Sequence, residues 1–258
     1  MGLIYFAVMM FGAFTVRLPA PGWTPDGYKT PIATSQNKMI TAGQVSADEA
    51  IKTPQFWFLW AALLLNVTAG ISVLEMASPT IQEVFPGVIK AGAAAGFVGL
   101  LSIFNMSGLF FWSSISDKIG RKATYAVYFL LGGVLYAAVP GVGAAHHAIL
   151  FVAVFCIIIS MYGGGFAAAP AYLRDLFGTF QVGAIHGRLL TAWSAAGIAG
   201  PLLINSMRQL QLAHGVAPSQ AYNQTMYVLA GLLALGFISN LLVRPVAKGH
   251  LQPALRTP

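Results

Sequence analysis

The stretch Asp117-Lys118-Ile119-Gly120-Arg121-Lys122 sets three cations and one carboxylate into a chain whose charged residues make up only 8% of the whole. Long apolar runs flank it on both sides. Charge this dense marks a connection held in water, so the runs it joins read as membrane spans and the hexapeptide as their aqueous turn.

The composition agrees with that reading. The 258-residue chain is 57% hydrophobic with a mean hydropathy of +0.72, whereas roughly a quarter of a soluble domain is charged. Crossing ~30 Å of hydrocarbon at about 1.5 Å per helical residue takes roughly 20 apolar residues. Stretches 56–74, 91–115, 124–142, 148–173, 182–207 and 222–243 meet that length. They are continuous rather than alternating, which favours helices over barrel strands, because lipid cannot satisfy an open backbone.

The expected fold class is therefore all-α: a polytopic membrane protein with six full transmembrane helices plus a partial N-terminal one. The partial helix, 1–15, would rise only ~22 Å. No basic residue precedes it and no small-residue cleavage pattern follows at Arg17-Leu18-Pro19, so it does not read as a signal peptide. The chain is expected to begin inside a longer membrane protein. Residues 1–17 then end one span, and 18–54 form a linker rich in Pro, Gly, Thr and Ser, with room for an amphipathic helix at 46–52. Residues 55–244 form a six-helix bundle and 245–258 a tail.

The net charge of +7 would suit nucleic acid if the cations were pooled. They are not. Arg17, Lys29, Lys38 and Lys52 precede the first full span, while Lys118, Arg121 and Lys122 separate the second and third. Arg174 and Arg188 flank the fourth connection, and Arg244, Lys248 and Arg256 follow the last span. The alternate connections hold only Lys90 and Arg208. Because Lys and Arg accumulate on the cytoplasmic side, the linker, the Asp117 loop and the C-terminus are expected in the cytoplasm. No cofactor and no nucleic-acid partner is expected; the partner is the lipid bilayer.

Within lipid, helices associate through small residues. Gly92 and Gly96, Gly183 and Gly187, and Ala192, Ala196 and Gly200 each recur at four-residue spacing. Gly163, Gly164 and Gly165, after Tyr162, interrupt a span and allow either a mobile gate or tight packing. Counting depth along each span brings Asn66, Asn105, Ser160, Tyr162, Trp193 and Ser194 near mid-bilayer, the level at which transporter sites lie, and these are the substrate-binding candidates. Glu75, the acidic residue inside the long spans, falls ~28 Å along its helix and reads as an outer gate. Cys156, the single cysteine, reads as an inert buried thiol. His146, His147, His186 and His214 lie at different depths, so a metal site is not expected, and a membrane-embedded metal-dependent enzyme is kept only as a contrasting class.

The hexapeptide resembles the cytoplasmic loop signature of the major facilitator superfamily, an aspartate followed by Gly-Arg and a second cation. Stretch 66–83, with Glu75-Met76-Ala77-Ser78-Pro79 and Gln82-Glu83, is similar to the oxalate/formate antiporter family within that superfamily. So is 162–201, with Gly183-Ala184-Ile185-His186-Gly187-Arg188. The resemblance implies twelve spans in two halves, of which this chain would hold the end of the sixth and the seventh to twelfth, in a prokaryotic cytoplasmic membrane. It implies secondary active transport of a small organic anion by alternating access, as antiport or proton symport, with a further six-helix half as partner. Asp117, Gly120, Arg121 and Lys122 would then bias one access state, together with Glu75 and the three glycines.

Two departures bear on the substrate. Leu109 and Ala195 stand where the family pattern has cations, so a buried dianion would go uncompensated and oxalate is disfavoured. A monocarboxylate such as formate, lactate or pyruvate is the expectation, and a non-transporting or regulatory half-protein the alternative. Ser113 stands where the loop signature usually has glycine.

Overall fold

The computed structural model describes residues 2–17, 39–41 and 43–251. Most of the expected linker, with Lys29 and Lys38, and the tail beyond 251, with Arg256, lie outside the described residues. The chain divides into two units, 1–37 and 38–258. In the first, α1 (Gly2–Thr15) is apolar on every side and buries none of its residues.

The described part of the second unit is built of helices joined by short turns. A short helix, α2 (Ala47–Ala50), starts where the Ser46 hydroxyl accepts the Glu49 N–H at 3.3 Å. The first long helix, α3 (Pro54–Val84), begins at Thr53, whose hydroxyl accepts from Phe56 N–H while Pro54 supplies a preset first-turn φ. It is followed by α4 (Ala91–Ile119), α5 (Arg121–Ala144) and α6 (Ala148–Phe177). The next crossing is made of two segments, α7 (Val182–Leu189) and α8 (Thr191–Ala213), that meet at Leu190, and α9 (Asn223–Leu242) completes the set. With α7 and α8 joined, six apolar helices among the described residues are long enough to cross a membrane.

Their packing is what places the candidate site. α3 lies against α8 and α9, α4 against α6, and α5 against both α6 and α9. α3 and α6 are the most buried and form the centre, while α4 exposes Ile103, Phe104, Met106, Phe110 and Phe111 along one side. Exposed aliphatic and aromatic rows of this kind suit lipid rather than water. Pro79, Pro140, Pro170 and Pro201 sit inside helices without ending them, which neighbouring helices in a membrane bundle allow.

The three small-residue series behave differently. Ala192, Ala196 and Gly200 are buried on the α3 side of α8, and the Ser72 hydroxyl donates to the Gly200 carbonyl at 3.1 Å. A Cβ on Gly92, Gly96, Gly183 or Gly187 would meet nothing within 4 Å. Those four glycines serve no contact within the described bundle.

Candidate functional site

Half-way along α6, Tyr162 to Gly165 remain in unbroken helix and are buried. Each glycine marks the approach of a neighbour. A Cβ on Gly163 would collide with the Asn105 backbone carbonyl, one on Gly164 would lie 2.5 Å from Trp112 Cβ, and one on Gly165 would lie 2.8 Å from Asn66 Nδ2. Gly108 on α4 meets the Ser160 carbonyl in the same way, so α4 and α6 run nearly backbone to backbone here.

This packing divides the six candidates into three groups. Asn105 and Ser160 belong to the α4–α6 seam, where the Trp112 indole N–H donates to Ser160 Oγ at 3.2 Å and Asn105 Oδ1 is buried without a partner. Asn66 lies inside the bundle with its Nδ2 unpartnered, beside a cavity of about 10 Å³ that Tyr128, Tyr136 and Tyr162 also line. That volume is about one water. Tyr162, Trp193 and Ser194 form the third group, on α6 and α8. The Tyr162 and Trp193 rings lie 5.6 Å apart, and Phe166 closes edge-on to Trp193 at 4.9 Å. Phe166 and Ser194 are exposed, so this aromatic group opens at the bundle surface. The structure does not gather all six candidates around one cavity.

Glu75 is exposed on α3 and accepts from Asn205 Nδ2 at 2.9 Å. Further along the same seam Arg208 pairs with Glu83 at 2.5 Å. With the Ser72 contact these form a polar row between α3 and α8.

At the other end, Gly120 closes α4 and opens α5 at φ +87°, a left-handed value that favours glycine. The tight turn brings Arg121 Nη2 within 2.5 Å of Asp117 and Nη1 within 2.9 Å of the Ser116 hydroxyl. Its Nε lies 3.5 Å from Asp175 on α6. Lys122 donates to the carbonyls of Leu241 and Val243, at 2.8 and 2.6 Å, placing a cation at the negative end of α9. Asn240, fully buried, accepts from Tyr172 and donates to the Lys122 carbonyl. The loop is thus tied to α6 and α9 at once.

A strap of residues 43–53 covers the adjoining turn. Val45 N–H donates to Phe177 O at 2.9 Å and Thr41 N–H to Asp175 O at 2.8 Å, which satisfies carbonyls at the end of α6. Arg188 reaches the Ala47 carbonyl and Asp48. Hydrogen bonds from Lys52 and His250 hold the half-buried Glu49 carboxyl below its usual range. Among the described residues no group of three His, Cys, Asp or Glu side chains is placed to hold a metal ion.

Six apolar crossings and a Gly120 turn clasped by Arg121 and Lys122 coincide with a family match: the model of the Major Facilitator Superfamily covers residues 1–201. The chain belongs to that superfamily. It is 30% identical over 199 residues to the oxalate:formate antiporter of Oxalobacter formigenes, covering 77% of this chain and 44% of the antiporter. It is 23% identical over 197 residues to the uncharacterized MFS-type transporter YhjX of Escherichia coli K12, covering 76% of this chain and 46% of YhjX. The matched part of the chain therefore covers a little under half the length of these relatives. With this family and six membrane-length helices among the described residues, it is an integral, multi-pass membrane protein.

Sequence reasoning did not single out Phe166 or the Glu83–Arg208 pair, and it reads Asp175 with Arg174, His186 and Arg188 as a solvated cluster at the turn, whereas Asp175 is only 18% exposed and paired with Arg121. Asp175 carried a signal, being a carboxylate in the last turn of a span and one of only seven acidic residues. Phe166 carried none, since its spacing of four from Tyr162 is also that of any apolar helix face.

Proposed function

We propose that this chain forms one six-helix half of a secondary transporter that moves a small organic anion by alternating access. The observation that carries this reading is the aromatic group of Tyr162, Phe166 and Trp193, open at the bundle surface and flanked by Ser194 rather than by a charged residue. A surface so composed suits a monocarboxylate better than a dianion, because aromatic edges and neutral donors cannot offset two buried charges. The relative's printed pair, oxalate and formate, narrows the candidates to small carboxylates; without cations at Leu109 and Ala195, formate fits better than oxalate.

The opposing wall of the site comes from a second six-helix half, and the Asp117 loop faces the cytoplasm with the C-terminus. The open glycines Gly92 and Gly96 on α4 and Gly183 and Gly187 on α7 allow such a half to approach closely. Asp117, Arg121 and Lys122 hold α4, α5, α6 and α9 together at one end, so that the bundle rocks as a body.

Formate and lactate uptake into proteoliposomes tests this, with the chain alone and with a six-helix N-terminal half from an oxalate:formate antiporter relative. Saturable uptake is expected only with both halves present. Saturable uptake by the chain alone, or none with both halves correctly inserted, would reject the proposal.

A further inference from the structure

Gly70 lies in the middle of α3, one turn beyond Asn66, and is buried. Glycine is the poorest ordinary residue for a helix interior, so a glycine at this place needs a packing reason. The Tyr162 ring of α6 supplies it. A Cβ on Gly70 would lie 2.7 Å from both Cγ and Cε2 of that ring and closer still to Cδ2. Carbon atoms rest at about 3.5–4.0 Å, so even a methyl group would have to displace the ring by about 1 Å. Turning the ring in place does not relieve the clash, because Cγ lies on the axis of that turn and keeps its distance.

The displaced ring has one way to go. Its helix is held, since Gly163 already sits against the Asn105 carbonyl and Gly164 against Trp112 Cβ. Beside the ring, between Asn66 and Tyr136, the cavity of about 10 Å³ has room for one water and no more. The remaining flank is Trp193, whose ring centroid lies 5.6 Å away, with Phe166 standing edge-on to Trp193 at 4.9 Å. Rings at these separations are in contact, so movement of Tyr162 passes to Trp193. Trp193 is half-buried and Phe166 exposed, which puts the far end of this chain of contacts at the open surface.

We propose that Gly70 is a positioning residue that sets how large a carboxylate the aromatic group accepts. With no side chain at position 70, Tyr162 lies back against α3, and the rings in front of it leave depth for the carbon tail of a carboxylate such as lactate. A methyl group at that position drives the rings outward and makes the site shallower. A tail is then excluded, while formate, which has none, is spared. This rests on the transport reading above and adds to it the dimension along which the site discriminates.

Formate and lactate uptake are measured in proteoliposomes that hold the chain together with the N-terminal half used above, and melting temperatures are taken on the same preparations. Gly70→Ala should raise the KM for lactate about tenfold and that for formate less than about threefold, the scale on which one carbon's worth of space discriminates. Tyr162→Leu, which deepens the site from behind, should shift the lactate-to-formate KM ratio the other way. Added to Tyr162→Leu, Gly70→Ala should leave that ratio within about twofold, because the ring through which it acts is gone. A role in packing alone would lower the melting temperature of Gly70→Ala and leave the ratio unmoved, which would overturn the assignment. So would a shift of the ratio by Gly70→Ala that persists undiminished on Tyr162→Leu. If Gly70→Ala does not fold, an unmoved ratio in Tyr162→Leu overturns it equally. Absence of saturable uptake by the unsubstituted pair of halves is a different failure: it rejects the transport reading, and the role of Gly70 falls with it.

Discussion

Arg121 and Asp175, fifty-four positions apart in sequence, meet at 3.5 Å with side chains only 16% and 18% exposed, so the signature loop is fastened to α6 as well as to itself. The same guanidinium holds Asp117 and Ser116. One planar fork serves three groups, which an ammonium cannot copy.

Arg121→Ala should therefore cost more than the loss of a surface pair. Asp175 would be left half-buried without its partner, and the turn would lose its clasp on Ser116. A loss of about 2 kcal/mol is expected, between the exposed and fully buried limits. Arg121→Lys should recover less than half of it. Thermal unfolding in detergent of Arg121→Ala, Asp175→Asn and the double variant checks this. Strict additivity of the two single effects would show that the pair is not coupled.

The glycines of α6 offer a sharper contrast. Gly163→Ala places a methyl group against the Asn105 carbonyl, a backbone atom that cannot turn aside, so α4 and α6 must separate. A destabilisation of about 3 kcal/mol or more follows from overpacking at such a contact. Gly96→Ala on the open side of α4 meets nothing, and should be neutral or stabilising by up to about 1 kcal/mol through helix propensity. Similar melting temperatures for the two variants would contradict the packing described.

How far the fold was legible follows from which forces act locally. Continuous apolar runs and the Asp117 loop are properties of neighbouring residues, and they define the six crossings and the family directly. Which glycine series touches a neighbour depends on the rotation of each helix about its axis. Spacing does not carry that information, so Gly92 and Gly183 look the same in sequence as Gly200. Counting residues puts Tyr162 and Trp193 at one level, and their rings lie 5.6 Å apart. Asn66 and Asn105 share that level but turn to different neighbours, Gly165 and Gly163, which level alone cannot distinguish. The break at Leu190 within the fifth crossing escaped notice for a related reason: its contacts, Arg188 to Ala47 and Trp60 to Thr191, are distant in sequence.

Thr53 gives a local test of the start of α3. Its hydroxyl accepts from Phe56 N–H at 3.4 Å and donates to the Ala50 carbonyl at 2.7 Å, and the residue is fully buried. Thr53→Ala should lower stability by about 1 kcal/mol, and Thr53→Ser should restore most of it. An alanine variant that melts with the wild type would show that Pro54 alone sets this helix start.

The aromatic group separates ring from hydroxyl. Tyr162 and Trp193 face each other at 5.6 Å, and a Cβ on Gly70 would run into the Tyr162 ring, so that ring is held from both sides. Removing the Trp193 ring takes away a wall of the proposed site, while Tyr162→Phe keeps the wall and loses only one polar atom. In the assembled transporter, Trp193→Ala should raise the apparent KM for a small carboxylate about tenfold, on the scale of 1–2 kcal/mol for a lost aromatic contact. Tyr162→Phe should change it less than about threefold, and Asn105→Ala, placed in the α4–α6 seam, should reduce stability more than affinity. Initial rates of counterflow across a substrate series, with melting curves of the same preparations, distinguish these outcomes. A Trp193→Ala variant with unaltered KM and intact fold would move the substrate site away from α8.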